Sequence, residues 1–364
     1  MLEQNDYDAL CLRPADMPFT GKGSVIAIVD QPLWLGHTGY NKAIEAYTRI
    51  GDQGNYDWST HGSSVVSIAV DRNIGVAPDA LVYYCSLKND PRFISCRDLF
   101  NDVPLHLGSV LGYLSEVQKC GKDLSLQVRK FCSHSFIALL DHIKSKIESG
   151  EHIDAVSMSI GFPRRTRLKE IKKEHDKNLQ LPSAYWDIMN GFVDVYAERI
   201  QWFGDNNIPL FCPQNVPSAF FFGMNGPATW MNKSAWSLAQ DKLVGVPVED
   251  RLVARFREGE MFQRHPETQD AVPCEVAEIN GGDYYRCLGS GISWGIPFVA
   301  GMFALAREAD RNITVDQFLP YVRSTAQQVD FKNGIVLPVV DVKAFADKLV
   351  AERKKVSLTA KLNP

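Results

Sequence analysis

Residues 289–301 read Gly-Ser-Gly-Ile-Ser-Trp-Gly-Ile-Pro-Phe-Val-Ala-Gly, a glycine-rich loop that passes into an apolar run extending to Ala306. Pro297 suits the first turn of a helix, where its missing N–H costs little, and the apolar run predicts a buried helix. Ser293 lies at the junction, near unpaired N–H groups and the positive end of the helix dipole, which stabilise negative charge. The stretch indicates either a catalytic serine or an ordinary core helix capped by Ser293.

A second stretch, Ser-Val-Ile-Ala-Ile-Val-Asp, begins at Ser24 and ends at Asp30. Its continuous apolar run predicts a parallel strand that is buried on both faces. Open α/β sheets carry functional side chains at the carboxyl ends of such strands, so Asp30 is a candidate catalytic carboxylate. The alternative is a turn residue ahead of Pro32. A dinucleotide-binding fold is not indicated, because glycines 21 and 23 precede the strand instead of following it.

A third stretch runs from His61 to Val70 and continues through Asn-Ile-Gly-Val-Ala-Pro at 73–78 into a predicted strand at 80–87. Its small residues predict a closely packed helix that opens on the histidine. Taken alone, a single histidine is more often structural than catalytic.

These stretches together resemble the subtilisin-like serine proteases. The order Asp30, His61, Ser293 along the chain is the order of the triad in that family. The histidine element and its Gly-Val-Ala-Pro tail form the most specific match. In the nucleophile motif the matching residues are Gly291, Ser293, Pro297, Val299, Ala300 and Gly301. The departures from the family pattern are Gln31-Pro32 after the aspartate, Gln214 in place of a glycine, and Ile292, Trp294, Gly295 and Phe298 around the serine.

The resemblance implies a role for each matched residue. Ser293 is the expected nucleophile, His61 its general base, and Asp30 the group that orients the imidazole. Asn215 is expected to donate into an oxyanion hole together with the backbone N–H of Ser293. The residues expected to bind the substrate are Ser159, Ile160, Gly161 and Gln214.

The family also implies a three-layer α/β fold, with a mostly parallel central sheet and helices on both faces. The peptidase domain is predicted to span 21–352, after a leader at 1–20 that could at most plug the cleft and before a disordered tail at 353–364. Two insertions are predicted, at about 88–132 and 163–184. The first could be a wall or lid over the cleft, or a surface excursion.

Apolar periodicity predicts the other elements. Helices are expected from Ser135 onward, around 192–203, after a capping box at Thr314 and around 342–349, with Pro320 limiting the third. Strands are expected at 153–158, 208–212, 242–247, 252–256 and 335–340, and a polar connection at 258–288.

Composition bounds the partners and the compartment. The net charge is −4 over 364 residues, so no nucleic-acid partner is expected. The sequence has no apolar run near the roughly 18 residues of a membrane span and opens on an acidic segment unlike a secretory signal. Eight cysteines without a Cys-x-x-Cys pair are consistent with free thiols. A cytoplasmic protein is therefore expected, and its oligomeric state stays open.

No cofactor and no metal is expected. Secreted members of the family carry a longer, calcium-binding loop after the catalytic histidine, whereas Asp71–Pro78 lacks the extra residues. Calcium takes six to eight oxygen ligands, more than this segment offers. The predicted function is serine endopeptidase activity on a peptide or protein substrate through an acyl-enzyme. The alternative is a protease-like scaffold that binds peptides or a protein partner without cleaving them.

Overall fold

The computed structural model describes residues 16–33, 35–50, 60–87, 123–133, 135–159, 183–212, 227–230, 244–245, 252–254, 276–279, 283–287, 295–331 and 335–362. Within these ranges the strands are β1 Val25–Asp30, β2 Ile44–Ile50, β3 Leu81–Leu87, β4 Ala155–Met158, β5 Leu210–Cys212, β6 Pro227–Trp230, β7 Val244–Gly245, β8 Leu252–Ala254, β9 Val276–Ile279, β10 Asp283–Cys287, β11 Gln327–Phe331 and β12 Ile335–Val339. The α-helices are α1 Thr60–Val70, α2 Leu124–Cys132, α3 Phe136–Glu148, α4 Ser183–Asp205, α5 Gly295–Ala309, α6 Val315–Thr325 and α7 Val342–Leu362.

The larger sheet in the described part of the chain has nine strands in the order β11-β12-β7-β6-β5-β4-β1-β3-β2. The five strands from β5 to β2 are parallel to one another. The chain passes from β1 to β2 and β3 on one side and then to β4 and β5 on the other. The strand order therefore reverses next to β1, and open α/β sheets bind ligands at the carboxyl end of such a reversal.

Strand β1 is buried on both faces, and its side chains alternate between two hydrophobic clusters. Ile26 and Ile28 pack into a cluster with α1, α5, α6 and α7. Val25, Ala27 and Val29 pack into a second cluster with α2, α3 and α4. The two-residue period of a strand explains this division, and it directs Asp30 to the same face as α1 and α5. The predicted three-layer α/β fold, with a mostly parallel sheet between helices, is confirmed.

Helix α5 runs antiparallel to β1. The Ser24 hydroxyl, just before β1, donates to the carbonyl of Ala304 at 3.0 Å. Oε2 of Glu308, one turn further along α5, accepts the N–H groups of Thr20, Gly21 and Lys22 at 2.7, 2.7 and 3.1 Å. The carboxyl end of α5 thus lies at the amino end of β1. Its first residue, Gly295, is directed toward the end of β1 that carries Asp30.

Two hairpins differ from the sequence predictions. The predicted polar connection at 258–288 contains β9 and β10, which pair antiparallel and form a three-stranded sheet with β8. The dipeptide Gly281-Gly282 between them is a recognised hairpin turn signal. Strand β11 was not predicted and pairs antiparallel with β12.

Helix α6 continues past Pro320 to Thr325, although the proline was expected to limit it. A reciprocal capping box between Thr314 and Gln317 closes its first turn. Buried Phe318, Leu319 and Val322 hold the helix against the core. Tertiary packing therefore outweighs the hydrogen bond that the proline cannot make.

The domain is also ordered beyond its predicted ends. Met17 and Phe19, assigned to the leader, are buried in the core at 9% and 3% exposure. Helix α7 continues to Leu362, although a disordered tail was predicted from Arg353. Within it, Glu352 pairs with Lys348 and Lys355, each at 2.9 Å, at the helical spacings that favour such pairs.

The segment 88–132 was predicted to be an insertion, and its last part is helix α2. Asp123 caps this helix by accepting the N–H of Leu126. Phe131 packs edge-to-face on Phe192 of α4, so this part belongs to a helical layer. The rest of this predicted insertion, 88–122, and most of the second one, up to residue 182, lie outside the described residues. In the described ranges, no helix combines the length and apolarity that a membrane crossing requires.

Candidate active site

Asp30 and His61 form a close pair at the carboxyl edge of the sheet. Nδ1 of His61 lies 2.6 Å from Oδ1 of Asp30. The Asp30 side chain is 1% exposed, whereas that of His61 is 29% exposed. Because a carboxylate can only accept, the imidazole carries its proton on Nδ1, and Nε2 is the basic nitrogen of the neutral ring. The pair thus has a buried orienting carboxylate and a partly exposed base.

Gly62 sets the distance between the helix that carries His61 and the segment that follows Asp30. A Cβ at this position would lie 2.4 Å from Oη of Tyr84, 2.5 Å from the carbonyl oxygen of Gln31 and 3.2 Å from that of Pro32. Only a residue without a Cβ fits there, so the small residue after the histidine lets the first turn of α1 contact the backbone after β1.

Pro32 limits the number of backbone N–H groups that can donate to the Asp30 carboxylate. Oδ1 accepts the N–H of Gln31 at 2.7 Å in addition to His61. Oδ2 is buried and has no hydrogen-bond partner among the described residues. Proline has no N–H, so the second residue after Asp30 cannot supply a donor. The Gln31 peptide is therefore the one backbone donor to this carboxylate in the described part of the chain.

The helices add a favourable potential at this edge. Both α1 and α5 begin there, and the amino end of a helix carries partial positive charge. Buried Gly301 of α5 packs closely on α1 and on the segment after it, since an added Cβ would lie 3.3 Å from the carbonyl oxygen of Ala69 in α1 and 2.9 Å from Val76 Cβ. Such an arrangement favours the Asp30 carboxylate and any anion that forms nearby.

Of the predicted substrate-binding residues, Ser159 is described. It is 8% exposed and follows β4, whose last residue Met158 is in register with Val29. Ser159 thus lies beside Asp30, directly after the neighbouring strand. The other predicted site residues lie outside the described residues: Ser293, Asn215, Ile160, Gly161 and Gln214. Their roles stay predictions.

Sequence reasoning missed two tyrosines beneath the pair. Tyr84 of β3 is fully buried and donates its hydroxyl to the Gln31 carbonyl at 2.5 Å. Oη of Tyr47 on β2 accepts the N–H of Leu33 at 3.1 Å and is bonded to Oγ of Ser86 at 3.0 Å. A tyrosine in a strand is ordinarily a core residue, and the sequence gives no sign of which backbone its hydroxyl contacts.

The described residues form no cluster of three or more side chains suited to a metal ion. In the segment where the family places calcium, Asp71 Oδ1 accepts the N–H groups of Asn73 and Ile74 at 2.8 and 3.2 Å. Its Oδ2 lies 3.8 Å from Nδ1 of His37. This carboxylate is thus engaged within the protein. The predicted independence from calcium remains to be measured.

No known protein family and no curated protein matches the sequence. Solved structures of subtilisin-like proteases are similar to the chain. Fervidolysin from Fervidobacterium pennivorans, a keratinolytic enzyme related to subtilisin, is 16% identical with a TM-score of 0.45, over 90% of this chain and 43% of its own. A cold adapted subtilisin-like serine proteinase is 13% identical with a TM-score of 0.42, over 90% of this chain and 91% of its own. The A-subunit of the AB5 toxin from E. coli is 12% identical with a TM-score of 0.48, over 94% of this chain and 98% of its own. This chain spans less than half the length of fervidolysin. The values for all three structures describe a distant similarity in chain path and assign no function.

Proposed function

We propose that the protein is a subtilisin-like serine endopeptidase whose triad is Asp30, His61 and Ser293. The observation that carries this proposal is the contact of 2.6 Å between Asp30 and His61 at the carboxyl edge of the sheet. A buried carboxylate that accepts from Nδ1 of a partly exposed histidine is the acid–base half of a serine protease triad. A histidine beyond hydrogen-bond reach of the aspartate would have favoured the non-cleaving scaffold, and His61 lies within reach of Asp30.

The path of α5 supports Ser293 as the nucleophile. From Ala304, beside Ser24, the helix returns nine residues to Gly295, or roughly 13 Å at 1.5 Å per residue. From Ser24 to Asp30 the strand advances six residues, or roughly 20 Å at 3.3 Å per residue. Ser293 precedes Gly295 by two positions, and two residue steps of extended chain can span the remaining distance of about 7 Å. The chain is therefore long enough for Ser293 to reach the level of the pair.

In the proposed reaction the Ser293 hydroxyl attacks the carbonyl carbon of a peptide bond while Nε2 of His61 takes its proton. Asp30 keeps the proton on Nδ1 and stabilises the imidazolium without taking a proton itself. Asn215 and the N–H of Ser293 would donate to the oxyanion of the tetrahedral intermediate. His61 then protonates the leaving amine. Water, activated by the same histidine, hydrolyses the resulting acyl-enzyme.

Cleavage of a fluorogenic peptide library by matched variants tests the proposal. Asp30→Asn should lower kcat about 10⁴-fold because the neutral amide favours the wrong imidazole tautomer. Ser293→Ala should abolish the acyl-enzyme, and Asn215→Ala should lower kcat about 10²- to 10³-fold. Asp154→Asn is the matched control. This carboxylate is 3% exposed but lies at the amino edge of the sheet, where it accepts the Val25 N–H at 2.9 Å. The Asp154→Asn variant should be less stable than the wild type and should keep the wild-type kcat.

Equal losses of kcat in Asp30→Asn and Asp154→Asn would show that the effect is structural, and the assignment of Asp30 would fail. No cleavage by the folded wild-type protein, with saturable peptide binding that Ser293→Ala retains, would establish the non-cleaving scaffold instead.

A further inference from the structure

Tyr84 lies beneath the candidate pair on the strand next to β1. It is in register with Ile28, two residues before Asp30, and its side chain belongs to the cluster that contains α1. Its neighbour Tyr83 points to the opposite face of the sheet, where its hydroxyl bonds Nε2 of His142 on α3 at 3.1 Å. Two adjacent tyrosines thus place their hydroxyls in different surroundings, and only that of Tyr84 is near the candidate site.

The Tyr84 hydroxyl fixes the residue that orients Asp30. It donates to the Gln31 carbonyl at 2.5 Å, and the N–H of the same residue donates to Asp30 Oδ1 at 2.7 Å. Rotation of this backbone would move both groups. Since Pro32 cannot donate, no further backbone N–H arises at the next residue. The orientation of the carboxylate therefore depends on the Gln31 backbone, which depends in turn on Tyr84.

Tyr47 holds the same segment from a second point. Its ring packs edge-to-face on that of Tyr84, with centroids 5.3 Å apart and planes at 77°. Its hydroxyl oxygen accepts the Leu33 N–H at 3.1 Å. The two tyrosines thus bind the segment on both sides of Pro32, in a part of the protein where an unmade hydrogen bond is costly.

Tyr84 also contacts the element that carries the base. A Cβ on Gly62, the residue after His61, would lie 2.4 Å from the Tyr84 hydroxyl oxygen. One buried hydroxyl is thus bonded to the segment after Asp30 and packed against the first turn of α1. A phenylalanine at this position would fill the core equally well, so core packing alone does not require the hydroxyl.

We propose that Tyr84 is a positioning residue for the Asp30–His61 pair, acting through the Gln31 backbone. The inference rests on the proposed peptidase function for its kinetic consequence, whereas its structural consequence at His61 can be measured without turnover. Removal of the hydroxyl should leave the substrate contacts intact and loosen the carboxylate that stabilises the imidazolium.

The test compares Tyr84→Phe with Tyr83→Phe, which removes the hydroxyl bond to His142 on the other face of the strand. Tyr84→Phe should lower kcat about five- to tenfold, with KM within about twofold, because one positioning hydrogen bond is lost. The acidic limb of the kcat/KM profile should move to lower pH, as a less stabilised imidazolium loses its proton more readily. Tyr83→Phe should change neither quantity.

Nuclear magnetic resonance of ¹⁵N-histidine-labelled protein, with the His61 signals assigned from a His61→Asn variant, gives the readout that needs no turnover. Tyr84→Phe should shift the Nδ1 proton resonance of His61 and lower the pKa of the imidazole, and Tyr83→Phe should leave both unchanged. If Tyr84→Phe does not fold, Tyr47→Phe should give the same changes at smaller size. If the folded Tyr84→Phe protein keeps the wild-type resonance and pKa of His61, the inference is overturned. The same holds for Tyr47→Phe where that variant replaces Tyr84→Phe. Equal shifts in Tyr83→Phe would also overturn it. A wild-type protein without cleavage would refute the peptidase function but leave this resonance test decisive for the positioning role.

Discussion

Replacing Gly62 by alanine should lower both the stability of this protein and its kcat. The new Cβ would lie 2.4 Å from the Tyr84 hydroxyl oxygen and 2.5 Å from the Gln31 carbonyl oxygen, where ordinary contact begins near 3.4 Å. These two oxygens are hydrogen-bonded to each other, so neither can easily withdraw. We expect helix α1 to move instead, by about 1 Å, and to carry His61 with it.

The magnitude follows from two opposed effects on stability and one on rate. Alanine is favoured over glycine within a helix by roughly 0.5–1 kcal/mol, whereas overpacking in a core costs roughly 1–3 kcal/mol. The clash outweighs the propensity, so unfolding should require about 1–2 kcal/mol less. A misplacement of 1 Å costs a reaction about 10²-fold, and kcat should fall by about that factor.

Urea unfolding and peptide cleavage measure the two quantities, with Gly191→Ala as the matched control. A Cβ there would lie 2.5 Å from Cγ2 of Val128, a side chain in the layer on the other face of the sheet. Gly191→Ala should change stability and leave kcat unchanged. A Gly62→Ala protein with wild-type stability and kcat would refute the proposed packing of α1 against the Asp30 segment.

Three further predictions concern groups away from the site. Glu308→Ala should destabilise the fold by about 2–4 kcal/mol in urea titrations, because three backbone N–H groups lose their acceptor. Glu148→Ala removes a surface pair and should change the stability by less than about 0.5 kcal/mol. Similar losses in both variants would contradict this. Burial, and then the charge of Lys146, lower the pKa of His142 from 6.5. Below pH 6.5 the unfolded chain therefore binds more protons than the folded protein, and the melting temperature should fall as the pH is lowered through that value. The fall should be less steep in His142→Asn. Parallel curves of melting temperature against pH for the wild type and this variant would contradict the prediction. Burial raises the pKa of the thiols of Cys85, Cys132 and Cys212 to about 12. Alkylation mapped by mass spectrometry should therefore modify these thiols only after unfolding, and labelling in the folded protein would contradict this.

The sequence was most informative where a single physical demand dominates. The continuous apolar run before Asp30 predicts a strand buried on both faces, and the small residues after His61 predict a helix that packs closely. Ser135 was correctly predicted to begin a helix, and its hydroxyl oxygen caps α3 by accepting the Ile137 N–H. The predicted pair of Asp30 and His61 lies within hydrogen-bond distance. The catalytic roles of both residues stay predictions.

The sequence was less informative where the outcome depends on contacts between distant segments. The hairpin of β9 and β10 lies within a stretch that is polar on average, although six of the nine residues in its two strands are apolar. Its formation depends on the pairing of the two strands, which the average polarity of 258–288 does not indicate. Pro320 ends a helix by local rules, yet the packing of Phe318 and Val322 holds α6 together. The role of Tyr84 depends on register, because only the pairing of β3 with β1 brings its hydroxyl to the Gln31 carbonyl. No local pattern encodes such a contact.

The central claim is that His61 activates Ser293 for covalent catalysis, and labelling with a fluorophosphonate probe tests it most directly. Mass spectrometry of the digested protein should find one probe adduct, on Ser293, in the wild type. Folded Ser293→Ala should carry none, and folded His61→Ala should label far more slowly, because the hydroxyl then lacks its base. An adduct on another residue, no adduct in the folded wild type, or equal labelling rates with and without His61 would contradict the account.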